Sequence, residues 1–94
     1  MTLRERLSDF AGALASATDA PDEYMPTGYV TYENNMADLK DLWSQIKPNL
    51  KNARDVGFID ARLHEAFVAF EAGEKEKGRK AIWDIYNLDV KKLR

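Results

Sequence analysis

Cysteine is absent from this 94-residue chain, so neither a disulfide staple nor thiolate chemistry contributes to fold or activity. Histidine occurs once, at His64, which leaves no pair of imidazoles at zinc-ligand spacing. The five glycines are scattered, and none belongs to a Gly-rich phosphate loop. No apolar run approaches the roughly 18 residues that a bilayer span needs. Met1-Thr2-Leu3-Arg4-Glu5-Arg6 interrupts its apolar residues with charge, unlike a secretory signal, which needs an unbroken apolar stretch. The expectation is a cytoplasmic protein with no cofactor, no metal and no membrane partner.

What is present suits a folded chain. A hydrophobic fraction of 45% and an aromatic fraction of 11% are ordinary for a globular protein and argue against disorder. The length allows one core, so residues 1–94 are read as a single helical domain. The net charge of −2 disfavours general nucleic-acid binding but conceals an imbalance. Residues 1–47 hold four Lys/Arg against eight Asp/Glu, whereas residues 48–94 hold ten against eight. Such a dipolar chain is suited to associating with itself or with a charged partner.

Periodicity predicts an all-α bundle of four helices, at about 2–18, 32–54, 58–72 and 74–88. Thr2 and Glu5 have capping-box spacing, and Leu3, Leu7, Phe10 and Leu14 then recur on one face with Ala11 beside them. Pro21, Pro26 and Gly28 exclude a continuous helix and define a long loop at about 19–31. In the second helix Tyr32, Met36, Leu39, Trp43, Ile46 and Leu50 form a stripe. Pro48 interrupts that stripe, and because Leu50 keeps the register a kinked continuation to Arg54 is favoured over a break. Asp55-Val56-Gly57 reads as a turn before a third helix carrying Ile59, Leu63, Phe67 and Phe70. Gly73 occupies the place of a left-handed C-terminal cap. The fourth helix is expected to face inward with Gly78, Ile82, Ile85, Tyr86 and Asp89, forming a tight hairpin with the third.

No catalytic constellation emerges. His64 could borrow Asp60, four residues earlier, as an orienting carboxylate, but such a pair is usually a surface contact. Asp38/Asp41 and Glu71/Glu74 lack the Glu-x-x-His partners that metal-binding bundles use. The basic cluster Lys75, Lys77, Arg79 and Lys80 could contact phosphates, yet Glu74 and Glu76 are interleaved with it. The aromatic surplus is more informative, because Tyr and Trp combine large contact area with a polar handle. Tyr24, Met25, Tyr29, Tyr32 and Trp83 are the candidate partner-binding residues. The leading expectation is a non-catalytic protein–protein interaction or regulatory module, binding a partner or itself, with a homodimer as one form. The alternatives are a weak nucleic-acid-binding accessory protein using the 75–80 face, and a small ligand-binding protein or enzyme with loop 19–32 as its lid.

Overall fold

Four α-helices and no strands make up the computed structural model, which describes residues 2–26 and 28–93. Helix α1 spans Leu3–Ala17 and opens with the expected capping box: the Thr2 hydroxyl accepts the Glu5 amide, and the Glu5 carboxylate accepts the Thr2 amide. Its buried face is Leu7, Phe10, Ala11, Leu14 and Ala17. Helix α2, Tyr32–Ile46, opens with a second capping box made by Thr31 and Asn34. Met36, Leu39, Trp43 and Ile46 form its core stripe, with Tyr32 half-buried at one end.

Pro48 ends the second helix outright. Lys47–Asn49 tighten into a single 3-10 turn and Leu50 is extended, so the favoured kinked continuation to Arg54 does not form. The reason lies three residues downstream. Helix α3 begins at Ala53, because the Asn52 side chain accepts the amides of Arg54 and Asp55 and caps a new helix. Asp55-Val56-Gly57 is therefore the opening of α3, Ala53–Glu71, and not the turn its composition suggests. Leu50 still packs against the core, from an extended backbone.

Gly73 adopts the left-handed conformation at φ 79°, closing α3 and turning the chain into α4, Lys75–Tyr86. The hairpin crosses closely at Gly78, which faces the ring of Phe70. Ala81, Ile82 and Ile85 complete the inner face. Tyr86 and Asp89 do not belong to it: α4 stops at Tyr86, whose side chain is 40% exposed, and Asp89 is exposed with a positive φ. A last 3-10 turn, Val90–Lys92, folds back so that Val90 is buried against α1.

The helices run alternately up and down. α1 packs on α2, α3 packs on α4, and α1 joins the two hairpins by also packing on α4. Side chains close the α2–α3 side. Asp60 accepts the indole N–H of Trp43 at 2.7 Å and pairs with Lys47 at 2.7 Å, while Lys40 lies over the Phe67 ring. The bundle therefore has two poles. One carries the 18–31 loop and the Gly73 turn; the other carries the start of α1, the 47–52 connection and the C-terminal turn.

Candidate functional site

The loop between α1 and α2 is tied down at both ends. At its start, the Arg79 guanidinium donates to the Ala20 carbonyl and pairs with Asp22 at 3.1 Å and Glu23 at 3.5 Å. Lys75 adds a pair to Asp22 at 3.6 Å. Beyond Glu23, the Tyr24 hydroxyl donates to Asn35 Oδ1 at 2.7 Å, and Asn35 Nδ2 donates to the Ala13 carbonyl at 3.0 Å. Asn35, at 2% exposure, is the one fully buried polar residue among those described, and both ends of its amide are satisfied. At the end of the loop, Asn34 Nδ2 donates to the Tyr29 carbonyl at 2.9 Å.

These anchors sort the candidate aromatics. Tyr24 and Tyr32 turn toward the bundle. Tyr32 meets the Phe70 ring edge-on at 5.9 Å, and burial followed by the proximity of Glu71 raises its hydroxyl pKa. Burial, then the neighbouring Tyr32 and Asp19, push the Tyr24 hydroxyl up to about 12. Met25 and Tyr29 point outward, 72% and 97% exposed, and Val30 joins them at 40%. Trp83 lies apart in sequence on α4, half-exposed and packed edge-on against Tyr86 at 5.4 Å. The five candidates thus divide into two inward anchors, two loop-tip residues and one member of an α4 pair. Val30 and Tyr86 are their exposed apolar neighbours outside the five candidates.

Each cation of the 75–80 cluster stands beside a carboxylate. Arg79 and Lys75 hold the loop, Lys77 lies 3.9 Å from Glu74, and Lys80 lies 3.6 Å from Asp84. Asp60, the proposed partner of His64, spends its two oxygens on Trp43 and Lys47, and those bonds lower its pKa against the opposing effect of burial. Asp38 and Asp41 line a shallow groove with Ser8, Gly12 and Ser16 of α1. Among the described residues no cluster of His, Asp or Glu converges as a metal cage, and no helix is long and apolar enough to cross a membrane.

A different basic site lies at the opposite pole. A cleft of about 740 Å³ is lined by Leu3, Arg4 and Leu7 of α1, by Lys51, and by Lys91 and Leu93 of the C-terminal turn. A shallow, open depression beside it shares Lys51, Lys92 and Leu93 and adds Arg54 at the start of α3. Among the described residues, Arg4, Lys51, Arg54 and Lys91 have no carboxylate within ion-pair distance. Periodicity could not have found this site, because its cations come from three segments that only the fold brings together.

Charge is sorted accordingly. The loop pole, residues 19–33 with 71–79, holds seven carboxylates against three cations. The cleft pole, residues 2–6, 47–55 and 87–93, holds seven cations against three carboxylates. The fold belongs to the class of small up-and-down four-helix bundles. No known family model, characterised protein or solved structure matches the chain, so its function is read from its own geometry.

Proposed function

We propose that this protein is a non-catalytic interaction module that binds a protein partner through the tip of its α1–α2 loop. The observation that supports this is the contrast between the loop's tethers and its tip. Arg79, Tyr24 and Asn34 restrain the backbone on either side, yet Met25 and Tyr29 hold their side chains in water and Val30 is partly exposed beside them. Restraining a loop in advance removes part of the ordering cost that binding otherwise incurs. Exposed apolar side chains on a restrained element are how such a saving becomes affinity. The pairing of Lys75, Lys77, Arg79 and Lys80 with carboxylates makes the 75–80 face a weaker rival, since phosphate contact would have to displace those partners.

Photocrosslinking in living cells of the source organism tests the reading. A photoreactive phenylalanine analogue at Tyr29 should give a discrete protein adduct, while the same group at exposed Ser44 on α2 should not. Absence of any adduct specific to position 29 would overturn the proposal.

A further inference from the structure

We infer that the occupant of the loop tip is the basic cleft of a second copy of this chain, joined head to tail. The inference rests on the loop being a binding element and adds the identity of what it binds. Three independent features of the two poles match.

The first is shape. Met25 and Tyr29 project from one pole with Val30 partly exposed beside them, and the other pole is concave, with a cleft large enough to receive an aromatic side chain and its neighbours. The second is polarity. The half-buried Leu3 and Leu93 give the cleft its apolar surface over the buried Leu7, so an apolar tip entering it exchanges water for hydrocarbon. The third is charge. Arg4, Lys51 and Lys91 rim the cleft with no ion-pair partner among the described residues, and Asp22, Glu23 and Glu33 flank the projecting tip. Asp22 already pairs through both oxygens, with Arg79 and Lys75, but Glu23 meets Arg79 through Oε1 alone, and both side chains remain more than half exposed. A polar rim around an apolar centre is the ordinary anatomy of a specific interface. Lysine and arginine also repel one another across the empty cleft, and an acidic flank would relieve that repulsion.

The two surfaces lie at opposite poles of a molecule 36 Å long. The contact is therefore heterologous: one copy's loop enters the next copy's cleft and leaves a free loop and a free cleft at the two ends. Repeating it gives an open chain or a closed ring, and not the self-complementary dimer of a two-fold contact. Three apolar side chains and a polar rim make a small interface, which places the dissociation constant between roughly 10 µM and 1 mM.

Sedimentation equilibrium of the full chain tests this directly. The weight-average mass of the wild type should rise with concentration, pass the dimer value as roughly 1 mM is approached, and fall when salt is raised. Tyr29→Asp and the pair Lys51→Glu with Lys91→Glu alter only exposed side chains, and each variant alone should remain monomeric. Mixed in equal amounts, they should form a one-to-one heterodimer that grows no further, because one retains an intact cleft and the other an intact loop. A wild type that stays monomeric to about 1 mM overturns the inference, as does a mixture that stays monomeric while the wild type associates. A position-29 adduct to a different protein would also overturn it, while leaving the loop's role as a binding element intact.

Discussion

Adding one methyl group at three helical glycines should move stability in opposite directions. An ideal Cβ on Gly78 would lie 2.5 Å from Phe70 Cε1, 2.6 Å from Cδ1 and 2.8 Å from Cζ. Carbon atoms in contact prefer about 3.5–4.0 Å, so the ring must retreat by about 1 Å. Phe70 is only 6% exposed, and Tyr32 stands against it at 5.9 Å, so the retreat compresses a second aromatic residue. Overpacking of this kind costs about 1–3 kcal/mol, and a three-atom overlap with a buried ring belongs in the upper part of that range. Alanine recovers about 1 kcal/mol through its greater helix propensity. The net effect of Gly78→Ala is a loss of about 1–2 kcal/mol, which for a chain of this size lowers Tm by roughly 5–15 °C. Gly12 in α1 and Gly57 in α3 have nothing within 4 Å of the added atom, so the same substitution there should raise Tm by up to about 8 °C. Thermal unfolding followed by far-UV circular dichroism measures all three, and adding Phe70→Leu to Gly78→Ala should remove the penalty specific to the pair. A Gly78→Ala protein as stable as Gly12→Ala would refute the close hairpin crossing.

Asn35→Ala removes two hydrogen bonds and leaves the Tyr24 hydroxyl without its acceptor, so urea unfolding should show a loss of about 2–4 kcal/mol. Adding Tyr24→Phe should then cost little more, whereas additive losses would mean the two residues act separately. Asn52→Ala should cost about 1 kcal/mol and fray the start of α3, visible as faster amide exchange at Arg54 and Asp55. Unchanged exchange there would remove the cap from the account of why α3 starts at Ala53. Alkali should act through Tyr24. Folding raises its pKa from 10.0 to about 12, so the folded state keeps a proton that the unfolded state releases. That contribution is complete below pH 10 and declines as pH rises from 10 toward 12. Tm should therefore fall more steeply over that window in the wild type than in Tyr24→Phe, and parallel slopes would contradict it.

The elements that were legible in the sequence are those whose ends are chemically marked. Thr2 with Glu5 and Gly73 with its left-handed backbone are local signals, and both act in the structure as their chemistry requires. The second and third helices depart from the periodic pattern at one place, for an identifiable reason. Leu50 falls in register with Ile46, and hydrophobic period cannot distinguish a helical residue from an extended one that reaches the same core. Asn52 carried the decisive information, since an asparagine two and three residues before unpaired amides is a helix start. Gly57 pulled the other way, although a single glycine in a helix costs only about 1 kcal/mol and a 19-residue amphipathic element tolerates it. Tyr86 continues the spacing of Ile82 and Ile85, which predicts a core position, but α4 ends there and its ring is left at the margin.

The candidate site was legible as a region and illegible as a surface. Tyr24, Met25, Tyr29 and Tyr32 are neighbours in sequence and equally suited to an interface by composition. Only the partners of Tyr24 and Tyr32, namely Asn35 and Phe70, turn those two inward and leave Met25 and Tyr29 outside. Charge shows the same limit more clearly. Divided by sequence halves, the chain looks mildly acidic and then mildly basic. Antiparallel packing regroups it, because residues 2–6, 47–55 and 87–93 meet at one pole while 19–33 and 71–79 meet at the other. An imbalance of a few charges thereby becomes an excess of four cations at one end and four carboxylates at the other. Within each isolated molecule that separation offers no stabilisation, since like charges are gathered together at both ends. It becomes favourable only when an acidic end meets a basic one, which is the physical reason to seek the loop's partner in a second copy of the same chain.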